Sequence, residues 1–153
     1  MGKKSTQISE TGLLRDSRPC NDKSILKIWN ENLTNIVKWK YPIQIKKIDP
    51  VLYYVDKLTP FYALTIQLPD ELKHTLDLNY DFRIYYSKQI EYTYKDTKML
   101  ALKNFLMHEL IHTIPGCFNH GKNWKKYIID LNEKHGFRIN PKPYSSKEHF
   151  GLF

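Results

Sequence analysis

The chain has little of what staples small secreted domains together. Its 153 residues include two cysteines, Cys20 and Cys117, too few for a disulfide framework. A chain of this length can bury a core without such staples, and it reads as one domain. No apolar run approaches the ~20 residues that a membrane span requires. No apolar stretch follows Met1-Gly2-Lys3-Lys4-Ser5-Thr6-Gln7, so a secretory leader is not expected. Internal repeats and low-complexity tracts are absent. Together these absences predict a soluble, cytoplasmic protein with no membrane partner. Acidic side chains are the scarcer sign, 16 against 24 basic, for a net charge of +8. The basic excess gathers in residues 1–60 and again from His108 onward. A basic surface favours polyanions or acidic protein segments, although an ordinary basic domain has the same balance. Nothing in the sequence signals an oligomeric state.

Periodicity then gives a coarse plan. Residues 1–20 are polar and aperiodic, and are expected to form a flexible arm. Asp22 or Ser24 can cap a first helix. Its stripe is Ile25, Ile28, Trp29, Leu33, Ile36 and Val37, and Pro42 ends it at the latest. A short strand is expected over Ile43 to Ile48. Tyr62, Leu64, Ile66 and Leu68 alternate with Ala63, Thr65 and Gln67, which predicts a half-buried strand closed by Pro69. A polar connection runs from Asp70 to Asp81. The alternation Phe82, Ile84, Tyr86, then Ile90, Tyr92, Tyr94 favours a hairpin turning near Ser87-Lys88-Gln89. A long helix is predicted from about Asp96 to Ile114, and another from about His120 to His135, with Trp124, Ile128 and Leu131 inward and Gly136 after its end. The tail, Phe137 to Phe153, carries no trustworthy helix. The arm (1–20), a folded domain (21–140) and a tail (141–153) complete an α+β layer structure.

The strongest chemical signal is His108-Glu109-Leu110-Ile111-His112, followed by Asn119-His120-Gly121. Histidines four apart on a helix point the same way, about 40° apart around the axis and one turn along it. Their imidazoles can share one metal ion. Glu109 lies beside them and can take a proton from water at the metal. The segment Met99 to Met107 is helix-forming. Pro115 and Gly116 then stop the helix, so the chain can fold back and deliver His120 as a third ligand. Zn²⁺ on three protein ligands keeps a fourth position for water, the catalytic rather than the structural arrangement. Cys117, between His112 and His120, is weighed as a thiolate ligand against a buried thiol, and the buried thiol is favoured. His74, His135 and His149 have no such partners and are expected to be surface or packing residues. Other histidine motifs fit less well. The metzincin pattern needs its third histidine six residues after the second, whereas His120 comes eight after His112. Three-histidine endoribonucleases lack a glutamate after the first histidine, and Glu133 is a poorer third ligand than His120.

These residues resemble a known family. The HExxH helix and the later His120-Gly121-Lys122-Asn123-Trp124 are similar to the SprT-like zinc metallopeptidases, which include the Spartan proteases. The similarity is specific over about positions 98 to 137 and weaker from about 23 to 97. In that family a His-Gly pair followed by Trp or Phe opens the helix after the metal-binding helix, and Trp124 stands at that place. The resemblance implies a zincin-like metallopeptidase fold: a small mixed sheet packed on the HExxH helix and its flanking helices. It implies Zn²⁺ on His108, His112 and His120, Glu109 as general base, and a protein or peptide substrate. Two features of many family members are missing, the paired-cysteine zinc ribbon and the long DNA-recruitment regions. DNA-associated proteins as substrates, and DNA as a partner, are therefore the least supported part of the implication.

The expected activity is peptide hydrolysis by metal-activated water. A strand within Phe82–Tyr94 is expected to pair with an extended substrate. Tyr144 and the basic residues near His120 are candidates for the oxyanion donor. Lys122, Lys125 and Lys126 are candidate substrate or nucleic-acid contacts. The alternatives are a non-proteolytic, zinc-stabilised nucleic-acid-binding module and a zinc hydrolase acting on something other than peptides.

Overall fold

A computed structural model describes residues 10–58, 60–142 and 151–153. The described residues form an α+β fold with a four-stranded mixed sheet and six α-helices. The sheet order is β1 (Arg18–Pro19), β2 (Tyr53–Val55), β4 (Phe82–Ser87), β3 (Ala63–Gln67). β2 and β4 run parallel, and the outer pairings are antiparallel. β4 therefore lies inside the sheet, and β3 forms one edge.

The helix α5 (Lys98–His112) is the centre of the molecule, because its residues from Leu106 to His112 are all buried. α2 (Lys23–Lys38) packs on one side of it. Asp22 starts α2: its carboxylate accepts from the amides of Ser24 at 2.9 Å and Ile25 at 3.3 Å, satisfying two donors that a helix leaves open. Ile25, Trp29 and Ile36 form its buried face. Asn32 is buried among them and donates to the Lys103 carbonyl of α5 at 3.1 Å. Val37, expected in the stripe, is 52% exposed because it lies beyond the edge of that face. α6 (Lys122–Lys134) buries Trp124, Ile128 and Leu131 as its spacing predicts. Gly136, at φ +74°, turns the chain past its end.

Several expectations are corrected. Ile43–Ile48 is not a strand: Ile45–Lys47 is a 3₁₀ turn with no buried residue, and only Ile48 bridges to Phe82. With two lysines at its centre, the turn stays in water and offers no face to a sheet. The polar connection after Pro69 contains a helix, α3 (Asp70–Leu76), whose first turn holds Asp70 and Glu71, where negative charge suits the helix dipole. The expected hairpin is a strand followed by a short helix, α4 (Ile90–Thr93). Ser87 redirects the chain by accepting the Gln89 amide on its hydroxyl at 3.1 Å. Ile90 is then buried and Tyr92 is 82% exposed, so spacing that suited a second strand serves a helical turn instead. Within the stretch expected to be an arm, α1 (Glu10–Asp16) is helical and buries Leu13, and β1 pairs with β2.

One buried ion pair braces the sheet. Arg83 Nε donates to Asp49 Oδ2 at 2.9 Å, and both side chains are buried. The Arg83 guanidinium also lies over the Tyr53 ring. After residue 142 the next described residues are 151–153, which run beside Arg138–Asn140. Phe153 N donates to the Arg138 carbonyl at 2.7 Å, and Asn140 N donates to the Phe153 carbonyl at 3.3 Å. No described helix is long and apolar enough to cross a membrane.

Candidate metal centre

The last turns of α5 carry His108 and His112 on one face, both buried. α5 ends after His112. Gly116, at φ +82°, takes a left-handed conformation that side chains resist, and the chain reverses. His120 then returns to meet the first two. Its Nε2 lies 3.2 Å from His108 Nε2 and 3.1 Å from His112 Nε2. All three ligand atoms fall within 4.8 Å of one another. Nitrogens about 2.0–2.1 Å from a tetrahedral Zn²⁺ would stand roughly 3.3 Å apart. The three histidines lie close enough to hold one metal ion.

The surroundings suit neutral imidazole donors. Burial pushes His108 well below its ordinary pKa, and the neighbouring His112 and His120 add to this. Burial lowers His112 to about 4, against a hydrogen bond to the Cys117 carbonyl that favours the proton. His120 is lowered by burial and by the nearby Lys125. A neutral imidazole with one nitrogen anchored presents a lone pair on the other. His112 is held in this way: Nδ1 lies 2.9 Å from the Cys117 carbonyl oxygen, so its proton belongs there and Nε2 faces the other histidines. Trp124 backs all three rings, stacked on His112 at 5.5 Å and edge-on to His108 at 4.8 Å and His120 at 4.6 Å.

Glu109 lies beside this trio. Its Oε1 accepts from the Thr65 hydroxyl at 2.8 Å, while its Oε2 is 3.7 Å from His108 Nε2. Burial raises the carboxyl to about 7, against the hydrogen bonds from Thr65, which favour the charged form. A divalent cation at the histidines would favour that form further.

The four residues open into a cleft of about 600 Å³. One wall is β3 and the segment before it, from Pro60 to Thr65, and the floor is α5. No lysine or arginine is among the described lining residues. Lys122, Lys125 and Lys126 are exposed on α6 and do not line the cleft. Tyr144 and His149 lie outside the described residues. His74 is exposed on α3, and His135 stacks on Trp39 at 3.6 Å. The Cys117 side chain is buried and is not in the metal-ligand group; its backbone carbonyl makes the contact to His112.

Sequence reasoning missed Thr65. The alternation of β3 counted Thr65 with the wet face, yet Ala63 and Thr65 are buried, and Thr65 meets α5. Ile66 belongs instead to a second cluster with Leu13, Val55 and Tyr85. Both faces of this edge strand are covered, so period-2 polarity does not distinguish them. The strand within Phe82–Tyr94 that was expected to pair with substrate has no open edge. β4 is bonded on both sides, whereas β3 has β4 on one side and lines the cleft.

Comparison with known protein families, curated proteins and solved structures found no match to the chain.

Proposed function

We propose that the protein is a zinc-dependent metallopeptidase of the SprT-like, zincin-type kind, hydrolysing peptide bonds in a cleft beside a sheet edge. The observation that carries this reading is the Glu109 carboxylate, with one oxygen held by Thr65 and the other 3.7 Å from a histidine of the converging trio. A purely structural three-histidine site has no use for a buried carboxylate at that position. Three imidazole nitrogens at this spacing suit Zn²⁺ held by His108, His112 and His120. When bound, Zn²⁺ would supply Lewis acidity, making a coordinated water acidic and polarising the scissile carbonyl.

Glu109 accepts a proton from the attacking water as its oxygen bonds to the carbonyl carbon. As the C–N bond breaks, Glu109 returns that proton to the amine, leaving a free amine and a carboxylic acid that then loses its own proton to solvent. Thr65 keeps the carboxylate aimed. The edge of β3 pairs with the substrate backbone as an added strand, which fixes direction and leaves side-chain choice to the cleft.

The test combines metal analysis with cleavage of an unfolded protein. Wild type should hold about one zinc per chain and cleave. Glu109→Gln should keep the zinc and lose nearly all cleavage, and His112→Ala should lose both. If Glu109→Gln cleaves at the wild-type rate, the general-base assignment is wrong. The exposed Lys122, Lys125 and Lys126 favour a second reading, a zinc-stabilised module docking on nucleic acid. A gel shift with steep salt dependence, and no metal-dependent cleavage with or without DNA, would support that reading instead.

A further inference from the structure

We infer that the end of the cleft nearest the start of α5 is the pocket that selects the substrate, and that it takes one large apolar side chain, of phenylalanine or leucine size, next to the scissile bond. This rests on the peptidase reading above. Four half-buried rings build the pocket. Phe105 stacks at a tilt on Tyr62 at 5.4 Å, and Tyr94 meets both, at 5.5 Å from Phe105 and 5.3 Å from Tyr62. Phe153 closes the group, 5.4 Å from Tyr94 and 5.6 Å from Phe105. All four line the same cleft as the metal-binding histidines and Glu109.

The position follows from helix geometry. Phe105 precedes His108 by three residues, so it lies on the same face, roughly 4.5 Å further back along the axis. In an extended substrate the residues flanking the scissile bond have their Cα atoms within about 3.8 Å of each other, and alternate side chains point to one side. With the scissile carbonyl at the histidines, one flanking side chain meets these rings. Tyr62 lies just before β3 (Ala63–Gln67), the strand that would hold the substrate backbone, so pocket and pairing edge are continuous.

The chemistry of the wall decides the class of occupant. The chain is strongly basic, yet the described lining residues include no lysine or arginine, and Glu109 is their only carboxylate. An acidic segment finds no basic side chain among the described lining residues. A basic one would have to leave its hydration for aromatic faces already packed on one another. An apolar side chain loses nothing and buries its surface.

The experiment uses a short peptide series that differs at one residue, placed on either side of the cleaved bond: Phe, Leu, Ala, Asp or Lys. The zinc-loaded full chain should cleave the Phe and Leu peptides at least about tenfold faster, in kcat/KM, than the Ala peptide, with Asp and Lys slower still. Phe105→Ala should reduce that ratio several-fold. Because Phe105 lies within α5, Phe153→Ala, outside any helix or strand, serves as the second variant, and it should reduce the ratio in the same direction. Equal rates across the series, a preference for Asp or Lys, or an unchanged ratio in both variants would overturn the inference. Calorimetry on metal-free Glu109→Gln protein separates the two readings if no peptide is cleaved. About tenfold tighter binding of the Phe peptide than of its Ala twin then keeps the pocket while the peptidase reading falls. Equal binding overturns the pocket as well.

Discussion

Replacing Thr65 by Val removes one hydroxyl and leaves a β-branched side chain that suits a strand. The lost group donates at 2.8 Å to the Oε1 of Glu109, and both residues are buried. A hydrogen bond to a charged group contributes about 1.5–3 kcal/mol. At 1.36 kcal/mol per pKa unit, its removal should raise the pKa of Glu109 by roughly one to two units, because a bond donated to a carboxylate favours the charged form. Glu109 must be ionised to accept a proton. The acidic limb of kcat/KM should therefore move to higher pH by about that amount. At a pH below both limbs the rate should fall by roughly ten- to hundredfold. Zinc content should not change, since Thr65 touches no ligand atom. Thr65→Ser keeps a donor at the same position, and its pH profile should stay near wild type. A pH profile of peptide cleavage, with zinc content measured on the same preparations, reads all of this. If Thr65→Val cleaves as fast as wild type with its acidic limb unmoved, the hydroxyl does not position Glu109 and the argument fails.

Other perturbations test separate parts of the structure. Chelation should lower the melting temperature, since a ligand present at a thousand times its Kd adds about 4 kcal/mol to the folded state; a melting curve indifferent to chelator would mean that the three histidines hold no metal. Trp124→Ala should cost about 3–5 kcal/mol by emptying the space behind three imidazoles, and it should weaken zinc binding in a competition titration more than Trp124→Phe does. Asp49→Ala leaves the Arg83 guanidinium buried without its carboxylate and should cost about 3–5 kcal/mol in denaturant unfolding, with zinc stoichiometry unchanged. A loss under 1 kcal/mol would show that Arg83 finds another partner or water.

The candidate metal site was legible because its signal is local. His108, Glu109 and His112 belong to one helix, and the Pro115-Gly116 break that returns His120 follows within four residues. The same holds for α2 and α6, whose stripes and caps are read within a few turns. What the sequence hid depends on distant pairing. Thr65 meets Glu109 across 44 positions, and nothing in the strand's alternation marks which face will meet α5. The hairpin assignment failed because Ile90, Tyr92 and Tyr94 have a spacing that a strand and a short helix both satisfy until Ser87 turns the chain. The interior place of β4 was hidden for the same kind of reason: it arises only once β2, some thirty residues earlier, lies parallel beside it.

Of the three candidate ligands His120 is the vulnerable one, and the fold compensates for that. His108 and His112 inherit rigidity from a buried helix, but His120 comes from the loop between α5 and α6. Two features outside the ligand set hold that loop. Gly116 permits the reversal, and the Cys117 carbonyl fixes His112 from within the loop itself. Trp124, on the first turn of α6, packs edge-on against His120 and also contacts the two helix histidines. Loop, helix and ligands therefore move together or not at all. In this buried setting the His120 Nε2 stands 3.2 Å from that of His108 and 3.1 Å from that of His112. A cation accepting a lone pair from each ring would join all three to one centre. Metal binding should thus tighten the seam between α5 and α6 as a unit, and backbone amides from Thr113 to Trp124 should gain the largest protection in hydrogen exchange when zinc is added. Protection gained elsewhere but not there would separate the metal from these three residues.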